Sequence, residues 1–258
     1  MEYEKILEMI CTAEKKAGER ILHAHDIMPK NKTDARNVVT EYDTSIQQML
    51  MDTFSAALPG AHFFCEEMDN PDSLDAEHVF VIDPIDGTMN FVRGFHHSCI
   101  STAYMNRGVI SAAAIYNPYV DEMFTAIAGK GAWLNGKKLE IENVSLAESV
   151  VCFGSAPYYR DTRDRTLELV RASLDIGLDI RREGSAALDL CSVASGRAGV
   201  FFEMLLSFWD FAAGMLIATE AGAEILTVDG EPLPLNGSKS SVLCGAPDAV
   251  RDFLSLGR

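Results

Sequence analysis

Four apolar residues, Val79-Phe80-Val81-Ile82, run directly into Asp83-Pro84-Ile85-Asp86-Gly87-Thr88-Met89-Asn90-Phe91, and no other stretch constrains the fold as much. An apolar run of this length bounded by turn formers reads as a buried strand. It delivers two carboxylates, Asp83 and Asp86, at one strand end, and Pro84 between them is expected to stop further pairing because it lacks an N–H. Gly87 permits a sharp change of direction, and Thr88 reads as the N-cap of the segment that follows. Ordinary turns also use Asp, Pro and Gly. Acids at a strand end followed by free backbone N–H groups, however, can hold a cation and a phosphate side by side.

Two further stretches have the same character. Phe63-Phe64-Cys65-Glu66-Glu67 is another strand-like run ending in carboxylates, and Phe208-Trp209-Asp210-Phe211-Ala212-Ala213-Gly214 places an acid at the mouth of a helix rich in small residues. In order and spacing the three blocks resemble the signatures of the inositol monophosphatase family of metal-dependent sugar phosphatases. Those signatures have the forms Gly-Glu-Glu, Asp-Pro-(Ile/Leu)-Asp-Gly-Thr-x-Asn-Phe and Trp-Asp-x-Ala-Ala-Gly. The likeness runs from about Lys32 to the helix after Asp210.

The chain has 258 residues, nearly half of them apolar, enough for a substantial core. We expect a single phosphatase domain over 1–258, with a sheet-rich metal-binding half (1–148) and an α/β half (149–258) that completes the site. The net charge of −16 argues against nucleic acid and anionic membrane as partners. It does not exclude an anionic substrate, because bound divalent cations reverse the local sign of a pocket. Six scattered cysteines without a Cys-x-x-Cys pair read as reduced core thiols. The N-terminus is charged and amphipathic rather than signal-like, so a cytoplasmic location is expected.

Apolar residues at helical spacing from Tyr3 to His25 and again from Glu41 to Leu58 predict two amphipathic helices, with a polar loop over Pro29–Asn37. Strands are expected at Ser98–Asn106, Val109–Tyr116, Glu122–Ile127 and Ala132–Leu134. Gly129-Lys130-Gly131 lacks the phosphate-loop spacing and reads as a hairpin turn. Beyond residue 149 strands alternate with helices: Val150–Gly154, Thr162–Ile176, Leu178–Arg182, Ala186–Ser195, Val200–Glu203, Trp209–Gly222, Glu224–Val228 and Ser241–Cys244. This is an α/β pattern. The resemblance implies a more definite architecture, a layered α-β-α-β-α sandwich.

Glu66, Glu67, Asp83, Asp86 and Asp210 offer only hard oxygen donors, which suits Mg²⁺ and not zinc. The resemblance implies two or three ions. Glu66, Asp83 and the Ile85 carbonyl would bind the first; Asp83, Asp86 and Asp210 the second; Glu67 a third through water. It further implies that Thr88, backed by Asp43 of Val39-Thr40-Glu41-Tyr42-Asp43, orients the attacking water. The N–H groups of Gly87 and Thr88 would hold phosphate, and Lys32 lies in a loop over the site. Gly184-Ser185-Ala186 and Glu203 would touch the polyol. Without the family, Asp43 is a first-turn carboxylate, Thr88 a cap, and Gly184-Ser185 a turn capping a helix. The chain departs from the pattern at Cys65, Met89 and Asn37.

The expected activity is hydrolysis of myo-inositol monophosphate or a similar polyol phosphate by metal-activated water. The implied enzyme is lithium-sensitive and a homodimer. The rivals are a fructose-1,6-bisphosphatase or dual-specificity enzyme, and a non-catalytic metal-binding interaction protein.

Overall fold

Ile6, Ile10, Ala13, Ala17 and Ile21 fall on one buried face of helix α1 (Tyr3–Leu22), as their spacing requires. The computed structural model describes residues 2–32, 38–70, 74–157 and 159–256. A two-stranded ribbon, β1 (Lys30–Asn31) and β2 (Val38–Val39), leads to α2 (Glu41–Ala57). Then follow β3 (His62–Cys65), β4 (Val79–Asp86), the short helix α3 (Thr88–Arg93), β5 (Cys99–Asn106) and β6 (Val109–Asn117). Strands β7 (Glu122–Ile127), β8 (Gly131–Leu134) and β9 (Lys137–Leu139) complete a seven-stranded sheet ordered β3 to β9, antiparallel except for the β3–β4 pair.

The second part of the chain supplies β10 (Val150–Phe153), α4 (Arg163–Ile176), β11 (Asp179–Arg181), α5 (Ala186–Ala194) and β12 (Val200–Leu206). It closes with α6 (Phe208–Glu220), β13 (Glu224–Leu226), β14 (Ser240–Gly245) and α7 (Pro247–Ser255). Its five strands are ordered β11-β10-β12-β14-β13, with β10 parallel to both neighbours.

Strand alternation sorts the side chains into three cores. Phe80, Ile82, Ile100 and Tyr104 on one face of the large sheet pack against α1 and α2. The opposite face, with Val81, Ala103 and Ile115, meets α5, α6 and the inner face of the small sheet. The outer face of the small sheet, with Val151, Phe202 and Leu243, is covered by α4 and α7. The order of layers is therefore α-β-α-β-α.

Two local expectations are corrected. Pro84 does not end its strand: β4 continues to Asp86, and the register against β5 shifts between Asp83 and Asp86. A residue without an N–H is tolerated at such an irregularity. Nor is Thr88 the N-cap; Gly87 takes that place at φ 86°, and Thr88 is the first helical residue. The glycine cluster is a hairpin turn, and the N–H groups of Gly129 and Gly131 donate to the Glu220 carboxylate at 2.6 and 2.7 Å. Among the described residues no helix is long and apolar enough to cross a membrane.

Candidate active site

Because β3 and β4 are parallel neighbours, both end at the same edge, which brings Glu66 beside Asp83 and Asp86. The start of α6 adds Asp210, and one carboxylate oxygen from each of Asp83, Asp86 and Asp210 lies within 4.8 Å of the others. Each acid is held from behind. Asp83 Oδ1 accepts the Ile85 N–H at 3.0 Å. Asp86 Oδ2 accepts the Ser185 hydroxyl and, at 2.9 Å, the Ala187 N–H. Asp210 Oδ2 accepts the Ser207 N–H at 2.7 Å as part of a capping box, so the same carboxylate closes the helix N-terminus and serves the cluster.

Thr88 Oγ1 stands 3.0 Å from the Ile85 carbonyl and 3.2 Å from Asp43 Oδ1. Its single hydrogen goes to one of them, leaving lone pairs for an incoming O–H. Asp43 is also the third residue of α2, and its Oδ2 accepts the Thr40 N–H at 2.8 Å and the Thr40 hydroxyl at 2.5 Å. One Asp43 oxygen thus closes the helix N-terminus while the other faces Thr88. Lys32 Nζ donates to Glu66 Oε1 at 2.7 Å and to Glu67 Oε1.

These acids share a cavity of about 570 Å³ whose walls come from both sheets and from α6. Glu66, Asp83, Ile85, Asp86, Gly87, Thr88 and Asp210 line it, and so do Gly184, Ser185, Ala186 and Glu203. Asp43 and Glu67 are not on its surface; they stand behind Thr88 and Lys32. Gly87 is required here, because a Cβ would come within 3.1 Å of the His97 carbonyl and 3.2 Å of that of Gly184. Gly154 likewise leaves room for the Glu203 carboxylate, whose Oε1 accepts the Ala156 N–H at 2.8 Å.

Burial pushes the acids toward their neutral forms. Asp83 and Asp210 are raised well above the usual carboxylate range, first by burial and then by Glu66 and Asp86. Asp86 is raised to about 6 by burial, against the stabilising bonds from Ser185 and Ala187. Asp43 is likewise pushed up to about 6, and burial together with Glu66 raises Glu67 to about 7. Burial alone would lower Lys32, but Glu66 and Glu67 hold it above its ordinary value. Crowded, buried, oxygen-only acids fit a hard divalent cation, which restores their charge and offsets their repulsion.

Several residues of the cavity escaped the sequence reading. Arg182 stood out only as the start of a turn, and Lys239 and Tyr159 carried no signal at all, yet all three line the cavity. Asn90 was visible only as part of a motif; its buried Nδ2 donates to the carbonyls of His97 at 2.7 Å and Glu183 at 2.8 Å. Trp209 packs against Phe64 with ring centroids 5.6 Å apart, and also reaches the cavity. Of the three departures, Met89 lines the cavity and Cys65 is buried beside Asp83, while Asn37 lies outside the described residues.

The model of the inositol monophosphatase family matches residues 2–254. This chain belongs to that family. It is 34% identical over 223 residues to a putative Nus factor SuhB of Neisseria meningitidis, covering 85% of each chain. It is 35% identical over 208 residues to an inositol-1-monophosphatase of Rhizobium meliloti, covering 80% of this chain and 77% of that one. Among solved structures, an IMPase/NADP phosphatase complexed with Mg²⁺ and phosphate superposes with a TM-score of 0.89 at 25% identity, covering 98% and 95%. The fold and a phosphatase of this family are therefore shared.

Proposed function

We propose that this chain is a magnesium-dependent phosphomonoesterase acting on myo-inositol monophosphate or a similar small polyol phosphate. The convergence of Asp83, Asp86 and Asp210 on one cavity wall carries this reading. Glu66, Asp83 and the Ile85 carbonyl would hold one ion, and Asp83, Asp86 and Asp210 a second. Glu67 would reach a third through water. What Mg²⁺ supplies there is charge: it acidifies a water and neutralises the leaving oxygen.

The protein's own groups position the reactants. Thr88 Oγ1, anchored on Asp43 and the Ile85 carbonyl, accepts a hydrogen from the attacking water and aligns it with the bond that breaks. The N–H groups of Gly87 and Thr88 hold phosphate oxygens. Gly184, Ser185 and Ala186 offer backbone groups to the alcohol. Glu203, fixed by Ala156, accepts hydrogen bonds from its hydroxyls. The assembly we propose is a cytoplasmic homodimer inhibited by lithium, with no nucleic-acid or membrane partner. Light scattering tests the dimer.

The name Nus factor carried by the Neisseria relative favours a second reading, a factor that acts by binding and keeps the fold without turnover. Phosphate release from inositol 1-phosphate, measured with and without Mg²⁺ and with lithium added, separates the two. Asp210→Asn keeps the helix cap and removes a carboxylate charge from the cluster. It is expected to lower kcat by a factor of about 100 or more. Wild-type protein that is folded and metal-loaded but silent on a broad panel of phosphomonoesters would leave only the binding role.

A further inference from the structure

Residues 154–157, which follow β10, have two faces. Gly154, Ala156 and Pro157 line the active-site cavity. Phe153, Ser155 and again Pro157 line a separate hollow of about 240 Å³, closed from the other side by Arg163, Thr166 and Leu167 of α4. This hollow is largely apolar. Phe153 is half-buried and stacks on Phe202 with centroids 6.1 Å apart, and Leu167 is 58% exposed. Its polar groups suit an anion. Among the described residues Arg163 has no carboxylate within 4.0 Å, whereas Arg165 is paired with Glu168 at 2.8 Å. Ser155 Oγ accepts Arg182 Nη2 at 3.4 Å and keeps its own hydrogen to donate, while the Thr166 hydroxyl is spent on the Thr162 carbonyl at 2.9 Å. An aromatic wall beside an unpaired guanidinium and a free hydroxyl complements a small ring that carries one negative charge.

The two faces share one backbone. Ala156, between Ser155 and Pro157, donates its N–H to Glu203 at 2.8 Å on the cavity side. It does so at φ 37°, a left-handed conformation that is costly for a residue with a Cβ. A ligand that grips Ser155 and Pro157 from behind supports this conformation and with it the position of Glu203. We propose that the hollow between β10 and α4 is an effector site for a small aromatic monocarboxylate, and that filling it tightens substrate binding in the neighbouring cavity. The binding half of this inference is independent of the reaction; the coupling half rests on the reading of Glu203 as a group that meets the substrate's hydroxyls.

The probe is 3-phenylpropanoate, titrated calorimetrically into full-length protein with Ca²⁺ in place of Mg²⁺. It is expected to bind with a Kd of about 1 mM or below, and neutral 3-phenylpropan-1-ol about tenfold more weakly. Arg163→Gln and Leu167→Glu, both on the outer side of α4, should each weaken the carboxylate about tenfold and leave basal phosphate release with Mg²⁺ unchanged. Saturating 3-phenylpropanoate should tighten myo-inositol 1-phosphate about fivefold, and linkage requires the same factor in the reverse order. Binding that is unaffected by both substitutions would put the probe at the metal cluster and overturn the proposal. So would equal affinity for the alcohol, or affinity that falls as protein concentration rises, which would give the hollow to a second copy of the chain. Arg163-dependent binding without effect on bound myo-inositol 1-phosphate would overturn the coupling. Failure of myo-inositol 1-phosphate to bind at all would instead tell against the substrate reading and leave the effector site standing.

Discussion

Glu14 is fully buried on α1, and among the described residues neither its oxygens nor the hydroxyl of Thr102, the polar group facing it, has a hydrogen-bond partner. Burial raises its carboxyl well above 4.5, with Thr102 a smaller opposing influence. Folded protein thus keeps a proton that the unfolded chain loses as pH rises past 4.5, and stability falls from there upward until the folded group also ionises. Glu14→Gln should therefore be more stable than the parent at pH 8, by on the order of 1–3 kcal/mol, and the two should converge toward pH 4. Urea denaturation at both pH values checks this, and a parallel offset at the two would rule it out. Lys32 offers a second test. Its ammonium occupies the oxygens of Glu66 and Glu67 and so competes with any cation drawn to that pair. Lys32→Gln is expected to tighten Mg²⁺ binding on the order of tenfold, read by calorimetry, and weaker binding would mean that Lys32 assists the ion.

Among the α-helices, α3 is the shortest. It starts at a left-handed glycine, and Asn90 on it fastens the loop at His97 to the turn at Glu183, with a His97–Glu183 contact of 3.2 Å beside it. Asn90→Ala would leave two carbonyls without that donor. It should cost about 1–3 kcal/mol of stability and raise KM more than it lowers kcat, since the turn it fixes carries Gly184 and Ser185. A pure kcat loss at unchanged stability would contradict that role.

Elements with a strong period of their own were legible in the sequence: α1, α2, β4 to β7 and α6 all lie within a few residues of where the pattern puts them. β9 was not, because Lys137-Lys138-Leu139 has one apolar residue and becomes a strand only by pairing with β8. Pro84 misled because a rule about sheet interiors was applied to a bulge. Glu14 hid for a related reason: it sits on the apolar stripe of α1 between Ile10 and Ala17, where only the buried neighbours reveal its position.

At the scale of the whole molecule the acids of the three blocks were legible as a group that converges, while the cations across the cavity were not. Carboxylates near strand ends carry a local signature; Arg182 and Lys239 become neighbours of the site only through the order of the small sheet. With an ion held there as proposed, folding and metal binding become one equilibrium. At fixed pH, Mg²⁺ at 100 times its dissociation constant should add about 2.7 kcal/mol, visible as a rise in Tm that a chelator reverses and that Asp210→Asn largely abolishes. A Tm indifferent to Mg²⁺ would show that the cluster binds no ion in the folded state.

The acids that converge on the cavity are drawn from both ends of the polypeptide, Glu66, Asp83 and Asp86 early and Asp210 late. A ribosome making this protein therefore carries, for nearly half of elongation, a chain that has the first acids but not the last. The nascent chain has no complete cluster until α6 has emerged and docked between the two sheets, so catalytic competence arrives near the end of synthesis and all at once. The same arrangement makes a split protein informative: fragments 1–148 and 149–258 should each be inert, and activity on mixing would report directly on the closing of the seam.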